Sequence, residues 1–207
     1  MNWEMLYNPF KRISPGAALI FGLPVLVVLA LLAWQVGAHM DGALDIHLYP
    51  NAELRITLVE SVLAWLFVAL CFWAAGAALS REGRNPLPYF AYTALARIIY
   101  IPAVAISSNS VLGPHLSQFV QPQPGGDVMV QLQGLLSPAF LVLCLLALLF
   151  VAWYIVLLVF AFKESSGLSG GRAAAGIVVG LLVAEIASWI VIHLLLKAML
   201  GLPTLLG

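Results

Sequence analysis

The chain has 207 residues, is 63% hydrophobic and 9% charged, and carries a formal net charge of zero; its mean hydropathy is +1.04. A soluble domain of this size could not cover its surface with so few polar groups, so a bilayer must supply the remaining solvent. The zero net charge argues against nucleic acid as a partner, and no basic run extends beyond Lys11-Arg12, too little for a polybasic lipid-binding patch.

In chain order, "NPF" (8–10) reads as an Asn-Pro turn with Phe10 at an interface rather than as a recognition peptide. Five apolar runs follow, at about 16–37, 56–79, 89–107, 138–162 and 173–196. At 1.5 Å per residue each helix would reach roughly 28–37 Å, enough to cross with modest tilt. The first run is too long for a signal-peptide core, despite small residues in "VGAH" (36–39), and is kept as a span. Pro24, Pro102 and Pro138 are expected to kink or start helices. Cys71 and Cys144 lie inside apolar runs and read as small hydrophobes, not as a disulfide or a metal pair. The expected fold is therefore all-α: one polytopic membrane domain over 1–207, a bundle of five transmembrane helices.

Basic residues set the expected orientation. Lys11, Arg12, Arg81, Arg84, Lys163 and Arg172 flank one set of span ends, whereas Arg55 and Lys197 flank the other, with Asp41, Asp45, Glu53 and Asp127. The positive-inside bias places the N-terminus in the cytoplasm and the C-terminus outside. Residues 80–88 and 163–172 are short cytoplasmic turns, and 108–134 is a long outer loop rich in Gln, Pro, Ser and Gly.

Ionisable residues within the runs are the candidate site. Arg97 falls about eight residues into span three and Glu185 about twelve into span five, depths of roughly 12 and 18 Å from the same membrane face. Glu60 and His193 lie at a similar level nearer the outside. Depth alone pairs Arg97 with Glu185 and Glu60 with His193. Such pairs mark either a proton or substrate route or a clasp that fixes helix register, and the clasp is preferred because no further acids continue across the membrane. Gly176, Gly180, Ala184 and Ser188 recur every four residues along span five, a small-residue stripe for close helix packing within the bundle, with homodimerisation second.

Two other motifs were weighed. "GLSGG" (167–171) with His193 resembles the Gly-x-Ser-Gly of intramembrane serine proteases, but Ser169 is 24 residues from His193, roughly 36 Å along a helix. A nucleophile and its base must meet within about 3 Å. "HMDGALDIH" (39–47) offers His39, Asp41, Asp45 and His47, a ligand set of the kind Zn²⁺ takes, although polar residues gather in such loops without a metal. No cofactor motif is present, and no nucleophile and base share one depth, so an enzyme is not expected.

The segments "YNPFKRIS" (7–14) and "WYIVLLVFAFKESSGLSGGRAAAGIVV" (153–179) carry a family resemblance. The second has an aromatic start, an apolar span, a Lys-Glu pair and a Gly-Leu-Ser turn into a basic, alanine-rich helix start. Together with five spans over residues 7–196, this pattern resembles the Yip1 family of small membrane proteins. In eukaryotic members the resemblance implies Rab-type GTPase binding, vesicle budding and membrane shaping. The "DLYGP" element of those members is missing and the N-terminal segment is only about 15 residues, so the likeness is to bacterial members of the inner membrane. The expectation is a non-enzymatic scaffold or accessory subunit, surrounded by membrane lipids and bound to other membrane proteins or to itself. The alternative is a small transporter or channel component using Arg97, Glu185 and Glu60.

Overall fold

In the computed structural model, residues 4–40, 42–44, 47–48, 53–107 and 137–200 are described. A short helix α1 (Glu4–Tyr7) and a 3-10 turn (Pro9–Lys11) lead to α2 (Pro15–Val36). Ser14 caps α2, its hydroxyl accepting from the Ala17 N–H at 3.3 Å, and Pro15 occupies the first helical position where its missing N–H costs nothing. The helix runs through Pro24 and ends at Gly37, whose φ of 68° needs a residue without a Cβ.

The chain then turns inward. Ala38–His39 (β1) pairs antiparallel with His47–Leu48 (β2), with Ala38 opposite Leu48 and His39 opposite His47. Next come α3 (Leu54–Leu79), a 3-10 turn (Glu82–Arg84) and α4 (Leu87–Ala96). A 3-10 turn at Arg97–Ile99 joins α4 to α5 (Tyr100–Ser107) in one rod. Pro102 has no N–H to give the Ile98 carbonyl, which favours such tightening just before it. The last two helices are α6 (Pro138–Ser166), capped by Ser137 through the Phe140 N–H at 3.2 Å, and α7 (Gly170–Leu200).

Five helices are long and apolar enough to cross a membrane: Pro15–Val36, Leu54–Leu79, Leu87–Ile106, Pro138–Ser166 and Gly170–Leu195. They match the five runs expected from sequence to within a few residues. By connectivity, one end of the bundle carries α1 and the short links 80–86 and 167–169, here the turn end. The other carries residues 38–44, here the loop end.

The rod α4–α5 is the centre, with 56% of its most apolar 18-residue stretch buried against 17% for that of α6. It packs on α2 and α6, while α3 lies between α2 and α7. Close approach explains the glycines. A Cβ on Gly22 would stand 2.7 Å from the Ala94 Cβ and the Leu95 nitrogen, and one on Gly76 would run into the Tyr89 hydroxyl. The small residues of α7 face α3 in the same way. A Cβ on Gly176 would meet Phe162 at 2.5 Å and Leu79 at 3.1 Å, one on Gly180 would meet Phe72 at 2.8 Å, and Ala184 and Ser188 are fully buried.

Candidate functional site

Among the described residues, buried polar groups lie at both ends and in the middle of the bundle. Glu60, in the second turn of α3, is completely buried. Its Oε1 lies 2.7 Å from His39 Nδ1, and its Oε2 accepts from the Met40 N–H at 3.4 Å. Glu185 of α7 accepts from the Leu44 N–H at 3.0 Å through its own Oε2. Ala38, Met40 and Ala43 are at most 1% exposed, so residues 38–40 and 42–44 enter the bundle as non-helical backbone. Such backbone is tolerated at depth only if its polar groups find partners inside the protein. Two carboxylates from α3 and α7 supply acceptors for it.

Neither ion pair expected from depth is formed. Glu60 pairs with His39 rather than with His193, because the inward course of residues 38–40 carries an imidazole directly to it. His193 instead lies against Trp189, ring centroids 4.9 Å apart. Glu185 is held by the Leu44 amide, and Arg97 makes no ion pair with it.

Arg97 is only 1% exposed and is among the largest fully buried side chains. Its guanidinium carbon lies 5.9 Å from the centroid of the Tyr100 ring, in cation–π range. Tyr100 packs on Tyr154 with ring centroids 4.3 Å apart. The Tyr154 hydroxyl lies close enough to the Arg97 guanidinium to interact with it directly and is within electrostatic reach of Glu185, although it makes no hydrogen bond of full geometry. Arg97 Nε and Nη2, the side-on edge of the guanidinium, have no acceptor. The position is ten residues from Leu87, the start of α4, or roughly 15 Å along the rod.

The turn end carries a second polar arrangement that no sequence motif announced. Asn8 is 1% exposed and its Nδ2 donates to Glu164 Oε1 at 2.8 Å. Trp153 Nε1 donates to the Leu6 carbonyl at 2.7 Å, and Tyr7 packs on Phe160 with centroids 5.5 Å apart. The Tyr92 hydroxyl donates to the Ile13 carbonyl at 3.2 Å. Residues 6–11 and 153–164 thus lie against one another, while Ile13 is held by Tyr92 of α4. A buried Asn in an Asn-Pro turn and the Glu of a Lys-Glu pair were the available signals, but nothing in sequence connects positions 156 residues apart.

For the metal set, no group of three or more His, Cys, Asp or Glu exists among the described residues. His39 is engaged with Glu60, Asp41 and Asp45 lie outside the described residues, and His47 is described only through its backbone. Ser169 is exposed in the link between α6 and α7, and His193 lies far along α7, so no dyad forms.

Fold and site together define a class, a multi-pass membrane protein with five candidate spans and an apolar core that holds a few buried polar groups. Comparison with known protein families, curated proteins and solved structures found no match.

Proposed function

We propose that this chain is a non-enzymatic scaffold or accessory subunit of the bacterial inner membrane, similar to the Yip1 family. Its N-terminus is cytoplasmic, and it binds other membrane proteins or a second copy of itself within the bilayer. The observation that carries the reading is the shape of the apolar exterior. Only 17% of the most apolar 18-residue stretch of α6 is buried, and Leu145, Leu148 and Leu149 stand 61–66% exposed along it. A helix so weakly committed to its own bundle leaves a face for lateral association. The internal carboxylates, by contrast, are spent on holding residues 38–40 and 42–44. The contact between residues 6–11 and 153–164 gives the family-like segments a shared structural task and supports the resemblance.

A photo-crosslinking residue at Leu148, used in intact cells, tests the reading. Capture of a discrete membrane protein or of a second copy supports it, and capture of lipid alone counts against it. Gly76, inside the bundle, serves as the background position.

One observation favours the transporter alternative: the buried Arg97 guanidinium beside Tyr154, with no carboxylate partner among the described residues. A cysteine at Tyr154 in a Cys71→Ala, Cys144→Ala background reports on it. Labelling by a water-soluble thiol reagent supports a route, and protection supports the scaffold.

A further inference from the structure

The last turn of α6 and the first two turns of α7 diverge and leave a groove of about 440 Å³, edged by Val159, Lys163, Ala173, Ala174, Ile177 and Val178. That volume falls within the roughly 300–1,000 Å³ common for small-molecule sites. The groove exists because the start of α7 is built from small residues. A Cβ on Gly170 or Gly171 would meet nothing within 4 Å. It opens sideways onto the apolar exterior, where Val178 and Val179 are each 56% exposed.

Its one charge is Lys163. The ammonium lies 5.4 Å from the centroid of the Phe160 ring and makes no ion pair among the described residues, while the adjacent Glu164 accepts from Asn8. The groove therefore has a cation at the turn end and hydrocarbon walls running toward the middle of the bundle. Its α7 wall, from Gly170 to Val178, is roughly 12 Å long, too short to seat a spanning helix from another protein but well matched to a stretch of acyl chain. The turn end also holds Lys11, Arg12, Arg81, Arg84 and Arg172 against Glu4, Glu82 and Glu164, with Lys11 paired to Glu4, which leaves a modest positive balance rather than a polybasic patch.

We propose that this groove seats one anionic phospholipid, with its phosphate against Lys163 and an acyl chain lying over Ala174 and Ile177. The proposal rests on the multi-pass class and is independent of the choice between scaffold and transporter.

The test uses the full-length protein, extracted in mild detergent and reconstituted into nanodiscs of equal phosphatidylglycerol and phosphatidylcholine. Lipid retained after re-extraction is counted by native mass spectrometry. The wild type should retain phosphatidylglycerol about five-fold over phosphatidylcholine, the preference that one cation near the surface supplies. Lys163→Gln should lose the preference, and Ala174→Leu, which fills the trough without touching the charge, should lower retention of both lipids. Glycerol 3-phosphate, a head group with no tail, should not displace the lipid. Equal retention of the two lipids by the wild type, an unchanged preference in Lys163→Gln, or full displacement by glycerol 3-phosphate would each overturn the proposal. A photo-crosslinker at Ala174 gives an independent readout: a lipid adduct supports the seat, and a dimer of the chain or a protein adduct overturns it.

Discussion

Replacing Glu60 by Ala removes the acceptor that holds the inward segment, and the structure allows its cost to be worked. The 2.7 Å contact to His39 Nδ1 is a hydrogen bond to an acid whose side chain is 1% exposed, a kind that contributes about 1.5–3 kcal/mol. The Met40 N–H is longer, at 3.4 Å, so leaving it without an acceptor sits at the low end of the range, about 1 kcal/mol. Together Glu60→Ala should cost about 2.5–4 kcal/mol, read as unfolding in a denaturing-detergent titration of the protein in mixed micelles. Glu60→Gln keeps a carbonyl for one donor and should cost less than half of that. A double-mutant cycle then assigns the partner. Glu60→Ala with His39→Ala should show a coupling of about 1.5–3 kcal/mol, whereas Glu60→Ala with His193→Ala should be additive to within about 0.5 kcal/mol. Strong coupling to His193 and none to His39 would refute the inward course of residues 38–40.

Other consequences are open to the same titration. Arg97→Met should leave stability unchanged or raise it, because it removes a buried cation that lacks a carboxylate and keeps comparable volume; a loss of about 3 kcal/mol or more would show that the guanidinium is paired. Arg97→Glu with Glu185→Arg should be no better than the worse single variant, since the two groups make no ion pair, and rescue by the double swap would contradict that geometry. Gly22→Ala should cost about 1–3 kcal/mol through overpacking against Ala94, while Gly171→Ala, facing open space, should be neutral or stabilising by about 0.5–1 kcal/mol. Asn8→Ala cuts the contact to Glu164 and should speed tryptic cleavage after Lys11 and Arg12 several-fold; an unchanged cleavage rate would mean that residues 7–14 are held without it.

The number and limits of the helices were legible in the sequence because they follow from a local quantity. An apolar run of about 20 residues must be helical in hydrocarbon, where every backbone group needs a partner within its own segment. Pro138 opens its helix, as a residue with no N–H to lose can, whereas the serine caps at Ser14 and Ser137 were seen only in the structure. Partners are a different matter. Sequence gives the depth of a residue along its helix but not the direction it faces, so Glu60 and His193, and Arg97 and Glu185, matched in level yet do not meet.

Tertiary structure decided the rest through one feature that hydropathy does not record. Residues 38–40 and 42–44 fold back into the bundle instead of staying at its surface, and an inserted backbone brings amide donors that take up any buried acceptor in reach. Those donors claimed Glu60 and Glu185, and Arg97 was left among tyrosines. The same holds at the turn end, where the link from Asn8 to Glu164 joins two segments that sequence can only read apart. The order of the spans is written in local chemistry, and the pairing inside them is set by which polar groups the packed helices bring face to face.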